Sequence, residues 1–163
     1  MTSGRVWCFG HDINTDLIQP IHAILAPVAE QRRYVFEANR PGWVDEVSPG
    51  DVIVAGRNFG TGSSRPAARV LVELGIGGVI AETINGLSFR NCVNYALAAL
   101  ECPGALDAFA EGEEASLDLA TGTVRNLTRD VSLPGRPWAP ALLEIHAAGG
   151  LIEQLRAEGL VRT

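Results

Sequence analysis

Ser63, Ser64 and Arg65 stand together near the end of a glycine-rich run, Gly56 to Ala68, that reads G-R-N-F-G-T-G-S-S-R-P-A-A. Two hydroxyls and a guanidinium in consecutive positions can grip an anion and, with suitable support, move a proton. Glycines at Gly56, Gly60 and Gly62 permit backbone conformations that a Cβ would forbid and let a ligand approach main-chain amides. The stretch is therefore a candidate site for a carboxylate or a phosphate. A second reading stays open beside it, a tight turn whose serines cap a helix. Three familiar motifs are excluded. No Lys precedes a Ser or Thr as a Walker A loop requires, Gly60-Thr61-Gly62 lacks the third glycine of a dinucleotide fingerprint, and neither serine sits in G-x-S-x-G.

The flanking segments say how the run is held. Val52-Ile53-Val54-Ala55 predicts a strand leading in, and Val70 to Leu74 predicts a helix leading out, closed by Gly75. The start of that helix would add free N–H groups and the positive end of its dipole to Ser63, Ser64 and Arg65. Gly77 to Ala81 reads as a buried strand, so the unit is strand, crossover helix, parallel strand. Upstream, Arg5 to Phe9 predicts a strand running into Gly10 to Asp16, an irregular loop fixed by Asp, Asn and Thr side chains. Pro20 disfavours helix at Gln19. Ile21 to Val44 reads as a loop with helix across Glu30 to Ala38, stopped by Asn39-Arg40-Pro41-Gly42 and packed over the glycine-rich run. Its arginines, Arg32, Arg33 and Arg40, are expected to be solvated.

Downstream, Thr83 is expected to cap a helix across Leu87 to Leu100, with Phe89, Val93, Leu97 and Leu100 facing the core. Ala115–Leu119 and Thr123–Leu127 alternate with period two around Thr121-Gly122, which predicts a hairpin. Pro134 to Pro140 reads as an extended linker. Ala141–His146 and Leu151–Glu158 read as helices parted by Gly149-Gly150.

The bulk numbers bound the function. A chain of 163 residues supports one domain, taken as 1–163, and is short for two. The net charge of −6 leaves no basic footprint for nucleic acid, so any anion is held by local donors against the overall field. No apolar stretch nears the ~20 residues of a membrane span. The first residues lack the charged and apolar regions of a signal peptide, and a soluble cytoplasmic protein is expected. Cys8, Cys92 and Cys102 make an odd count without C-x-x-C, which argues against a disulfide framework and against a cluster held by four thiolates of this chain. His11, His22 and His146 have no metal-ligand spacing, so no metal site is expected here.

Several segments, taken in order, carry a family likeness. The run G-R-N-F-G-T-G-S-S-R resembles the N-F-G-x-G-S-S-R signature of the small subunit of isopropylmalate isomerase, a separate swivel domain of the aconitase superfamily. Asp12 to Pro20 resembles that family's D-x-x-T-D-x-I-x-P segment. Phe89-Arg90-Asn91, Leu100 to Pro103, Asp118 to Asn126 and the closing Gly149-Gly150-Leu151 fit as well. The resemblance implies a swivelling β/β/α fold of the α/β class. It implies a larger partner subunit that holds a [4Fe–4S] cluster through three cysteines. It also implies stereospecific dehydration and rehydration of a hydroxy di- or tricarboxylic acid, with 3-isopropylmalate the leading substrate. By motif position, Ser63 would be the base, reacting as its alkoxide, while Ser64, Arg65 and Gly62 would bind the substrate carboxylate. Arg65 suits that role because a guanidinium grips a carboxylate through two parallel hydrogen bonds.

Two departures bear on the substrate. The family usually continues S-S-R-E-H-A or S-S-R-E-Q-A, whereas this chain has Pro66 and Ala67. Pro is compatible with a first helical turn, so the fold is expected to survive. After Pro20 the family commonly reads A-R-Y-L, with a specificity loop beyond. Here the residues are Ile21-His22-Ala23-Ile24-Leu25, which makes His22 and Ile24 the candidate specificity positions. A paralogous hydro-lyase acting on another alkyl-malate, homoaconitate- or citrate-like acid, and a non-catalytic anion-binding or regulatory homologue, remain as alternatives.

Overall fold

The computed structural model of the protein describes residues 1–63 and 65–161. Its strands are β1 (Thr2–Cys8), β2 (Val52–Ala55), β3 (Gly78–Ala81), β4 (Ala98–Glu101), β5 (Glu114–Asp118), β6 (Thr123–Asn126) and β7 (Val131–Pro134). They form one mixed sheet in the order β4-β3-β2-β1-β5-β6-β7. The strand β1 is shared end to end. Its last residues pair in parallel with β2, Val6 opposite Val52 and Cys8 opposite Val54. Its first residues pair antiparallel with β5, Thr2 opposite Leu117 and Arg5 opposite Glu114. One half is thus a parallel α/β layer and the other an antiparallel meander.

Composition explains the division. The runs V-I-V-A of β2 and G-V-I-A of β3 are buried at every position, as strands covered on both faces must be. Helices α5 (Ala67–Glu73) and α6 (Gly86–Asn94) are the crossovers between β2, β3 and β4, and they pack against each other. The strands β5 and β6 are tied by the expected hairpin, with Gly122 in the left-handed region. A short helix α7 (Ala105–Ala108) follows β4, and two C-terminal helices, α8 (Pro140–Ala147) and α9 (Leu151–Ala157), pack on α6.

Between β1 and β2 the chain makes an excursion of short helical pieces. These are α1 (Thr15–Ile18), α2 (Ile21–Leu25), α3 (Val28–Gln31), a 3-10 turn at Arg32–Tyr34 and α4 (Trp43–Glu46). The expected helix through Ala38 does not form. Phe36 takes a left-handed φ of 58° and is fully buried. Its ring meets Phe9 at 4.2 Å and Trp43 at 5.1 Å between centroids, and Phe9 in turn meets Trp43 edge-on at 5.6 Å. Burying that aromatic group against β1 outweighs continuation of a solvated helix. Arg40 is correspondingly not a solvated arginine. It stacks 4.7 Å from the Trp7 ring centroid and pairs with Glu111.

The second correction is β4. The expected helix across Leu87 to Leu100 ends at Asn94, and Ala96 breaks it with φ 54°. Ala98–Glu101 then lies in parallel register with β3, Val79 opposite Ala99 and Ile80 opposite Leu100. The cap of α6 is Asn85, whose side chain accepts from the Leu87 amide, while the Thr83 hydroxyl accepts from Asn58 N–H. The stretch read as a linker supplies the end of β7 and then covers the free edge of β4. Trp138 Nε1 donates to Ala99 O at 2.7 Å, and Arg136 N donates to Glu101 O at 2.8 Å. Closing an exposed edge in this way blocks pairing with other chains.

Arg40 donates to both Glu111 carboxylate oxygens, at 2.7 and 2.5 Å, and this holds the Glu111 carboxyl below its ordinary value of 4.5. A carboxylate with a lowered folded-state pKa adds stability above its unfolded-state pKa and loses it as pH falls through the folded one. Glu111→Gln is therefore expected to lower the urea midpoint at neutral pH. The gap from the parent protein should close progressively below pH 4.5, and urea titrations across that range check it.

Candidate active site

Two loops leave the carboxyl ends of neighbouring parallel strands, residues 9–20 after β1 and residues 56–66 after β2. Open α/β sheets place ligands at that end. Backbone hydrogen bonds stitch the loops together. Gly56 N donates to Gly10 O at 3.1 Å, Asp12 N to Arg57 O at 2.8 Å, Gly60 N to Ile13 O at 2.7 Å and Thr15 N to Thr61 O at 2.8 Å. Side chains add to the seam. Asn58 Nδ2 donates to Asp12 Oδ1 at 2.7 Å, and the Arg57 amide donates to His11 Nδ1 at 2.9 Å. The loop after β3 joins through Phe59, whose amide donates to Thr83 O and whose carbonyl accepts from Asn85 N. The Asx-rich turn and the glycine-rich run are thus one structure.

That seam needs glycine at three places, the first being Gly56, where a Cβ would overlap the His11 ring. Gly60 has φ 74°, and a Cβ there would overlap the hydroxyl of Ser88. Gly62 has φ 113°, and a Cβ there would lie 2.7 Å from Thr15 Oγ1. Thr15 is buried, and its hydroxyl has no hydrogen-bond partner among the described residues.

Ser63 lies exposed at the crest of the loop, and its carbonyl accepts from Arg65 N at 2.8 Å. Ser64 lies outside the described residues. Arg65 folds back under the crest with its side chain only 13% exposed. Its Nη1 donates to the Gln19 carbonyl at 2.9 Å and pairs with the Asp16 carboxylate. Asp16 is itself 61% exposed, so it sits at the rim as a carboxylate on the guanidinium.

The helix start contributes less than its sequence suggests. Helix α5 begins at Ala67 with Pro66 as its cap, and Pro66 has no N–H. Ala67 N is bonded to Arg65 O at 2.8 Å and Arg69 N to Pro66 O at 3.0 Å. The positive charge of the site therefore rests on Arg65 and the loop amides. His22 and Ile24 lie on α2, directly after the Gln19 that holds Arg65. The His22 ring is turned toward residues 34–37, where Nε2 pairs with Glu37 and the ring meets Tyr34 edge-on at 5.2 Å. Ile24 is half-buried, and its carbonyl accepts from Gln31 Nε2 at 3.2 Å.

The three thiols do not assemble into a cluster site. Cys8 ends β1, Cys92 lies within α6 and Cys102 follows β4. Burial pushes Cys92 up to about 12 and Cys102 up to about 11. Among the described residues no three His, Cys, Asp or Glu side chains converge to hold a metal ion. No described helix is long and apolar enough to cross a membrane.

A family model described as the aconitase C-terminal domain matches residues 29–105. The chain is 39% identical to the 3-isopropylmalate dehydratase small subunit 1 of Methanopyrus kandleri, over 96% of this chain and 93% of that one. The chain belongs to the 3-isopropylmalate dehydratase small-subunit family. It is also 39% identical to the isopropylmalate/citramalate isomerase small subunit of Methanocaldococcus jannaschii, over 94% and 92% of the two chains. The crystal structure of 3-isopropylmalate dehydratase from Methanocaldococcus jannaschii superposes with a TM-score of 0.89 at 30% identity, covering 97% of this chain and 95% of that one. The swivelling β/β/α fold expected from the sequence is therefore the fold of the chain.

Sequence reading picked out Ser63 and Arg65 but not the groups that set Arg65. Asp16 carried a signal, an acid inside the Asp12–Pro20 segment. The Gln19 carbonyl carried none, because a main-chain acceptor has no sequence signature. Gly60→Ala is expected to destabilise the chain by about 2 kcal/mol or more, from a strained left-handed alanine plus displacement of Ser88. Equilibrium urea unfolding checks it.

Proposed function

We propose that the chain is the small subunit of a two-chain hydro-lyase that interconverts 3-isopropylmalate and 2-isopropylmalate, a step of leucine biosynthesis. In this reading the larger partner subunit holds a [4Fe–4S] cluster through three cysteines, and the cluster supplies Lewis-acid chemistry at the departing hydroxyl. The whole chain, 1–163, acts as a single swivel domain that closes its site against that partner. Ser63 Oγ, as the alkoxide, removes the proton from the carbon beside a carboxylate. The C–O bond on the neighbouring carbon breaks, an alkene forms and hydroxide leaves. Re-addition of water with the opposite regiochemistry gives the isomer, and Ser63 returns its proton.

Arg65, Ser64 and the Gly62 amide hold the substrate carboxylate. The guanidinium also favours the serine alkoxide, which is too basic to persist in water. Asp16 keeps Arg65 oriented until the substrate carboxylate arrives. The observation that carries the reading is Arg65. It is pinned by Gln19 O and Asp16 beneath an exposed Ser63, where two loops meet at the carboxyl end of the sheet. Kinship along nearly the whole chain with small subunits named for this reaction supports it. The Methanocaldococcus jannaschii relative is named for citramalate as well, and the residues after Pro20 here make a smaller 2-alkyl-malate a second substrate worth assay.

The test is the two-chain complex rebuilt anaerobically with its cluster. Ser63→Ala is expected to lower kcat by about a thousandfold while changing KM less, as loss of a general base does. Arg65→Lys should raise KM strongly, because a point charge cannot reproduce a two-pronged grip. Normal turnover by Ser63→Ala would remove the serine from the mechanism.

A further inference from the structure

Gln31 lies at the end of α3, outside every motif of the family signature, and is only 5% exposed. Its amide makes all four hydrogen bonds that a glutamine side chain can make. Nε2 donates to Ala26 O at 3.0 Å and to Ile24 O at 3.2 Å, the carbonyls where α2 ends. Oε1 accepts from Gln19 Nε2 at 3.2 Å and from the Arg69 guanidinium. Gln19 is fully buried, and Arg69 stands one turn into α5 and also pairs with Glu73. One side chain thus ties together three pieces of the site. These are the residue whose carbonyl holds Arg65, the end of the segment carrying His22 and Ile24, and the helix that follows Ser63.

We propose that Gln31, with Arg69 and the Gln19 side chain, is a positioning junction that sets residues 20–26 against Arg65 and thereby governs which 2-substituent of the substrate is accepted. The physical argument is one of unsatisfied groups. Removing the Gln31 amide leaves two carbonyls and the buried Gln19 amide without their partner and takes from Arg69 one of its two anchors, and each stranded group costs more than a surface hydrogen bond. Leu25 and Val28 are exposed, so the remaining holds on the segment are buried Ala23 and the His22 contacts with Glu37 and Tyr34, and relief of that cost comes by a shift about them. The seam that holds the loop backbone leading to Ser63 is built from other groups and stays in place. The junction therefore acts first on substrate fit. It rests on the functional reading above.

The variants are Gln31→Met, close in shape but without polar atoms, and Gln31→Glu, which keeps both acceptors and loses both donors. Each is rebuilt into the complex and assayed with 3-isopropylmalate and with citramalate, a branched against a methyl side group. Both variants are expected to change the ratio of the two kcat/KM values by about tenfold, mostly through KM. Hydrogen exchange on the free full-length chain should show lost protection at 21–26 and retained protection at 56–61. A structural role alone would lower Tm and reduce both kcat/KM values together. A ratio unchanged within about twofold, or unchanged exchange at 21–26, would overturn the junction. A parent complex that turns over neither acid would overturn the functional reading instead. In that case exchange on the free chain still decides whether the junction exists.

Discussion

One hydrogen bond fixes the candidate site, that from Arg65 Nη1 to the Gln19 carbonyl. A guanidinium has five donors on a long flexible stem, and left alone on a glycine-rich loop it would sample many positions. Here a main-chain acceptor from a different loop restrains it, and Asp16 neutralises it in place. The rest of the structure serves that contact. The carbonyl is aimed by Pro20, which ends α1 after Ile18. The loop bearing the carbonyl is aimed by backbone bonds to residues 56–61. Those bonds exist because β1 and β2 are parallel neighbours, Val6 opposite Val52, and both loops leave the same end of the sheet.

The loop seam also shows why the motif has its composition. Thr15 and Ser88 press onto the glycine-rich run from either side, and each meets it at a glycine of positive φ. The glycines are required by close packing as much as by ligand approach. The consequence is a loop held by backbone bonds as far as residue 61, with Ser63 exposed just beyond it. In residues 20–28, by contrast, Ile21, Leu25 and Val28 are exposed, Ala23 is buried, and the carbonyls of Ile24 and Ala26 are held by Gln31.

Much of this was legible in the sequence wherever periodicity and backbone chemistry agree. Val52–Ala55, the glycine-rich run, α5 with Gly75 beyond it, β3 and the β5–β6 hairpin all follow from local pattern. The misreadings share a cause. Ala98-Ala99-Leu100-Glu101 has helix-forming composition, and only pairing with β3 makes it a strand. Glu30 to Ala38 has helical spacing, but Phe36 is worth more in the aromatic group with Phe9 and Trp43 than on a helix face. Arg40 looked solvated because its partner Glu111 is remote in sequence. The site divides the same way. Ser63 and Arg65 lie inside a motif, whereas Gln19 O, Gln31 and Arg69 matter through contacts that topology alone creates.

The central claim is that this chain carries the base and the carboxylate grip of a site divided between two subunits. The most direct measurement titrates a fixed amount of the cluster-loaded larger subunit with this chain and follows formation of the unsaturated acid from 3-isopropylmalate. The account predicts negligible turnover by either chain alone and activity that rises with added chain to a plateau near one equivalent. Full activity of the larger subunit without this chain, or none at any ratio with any 2-alkyl-malate, would contradict it.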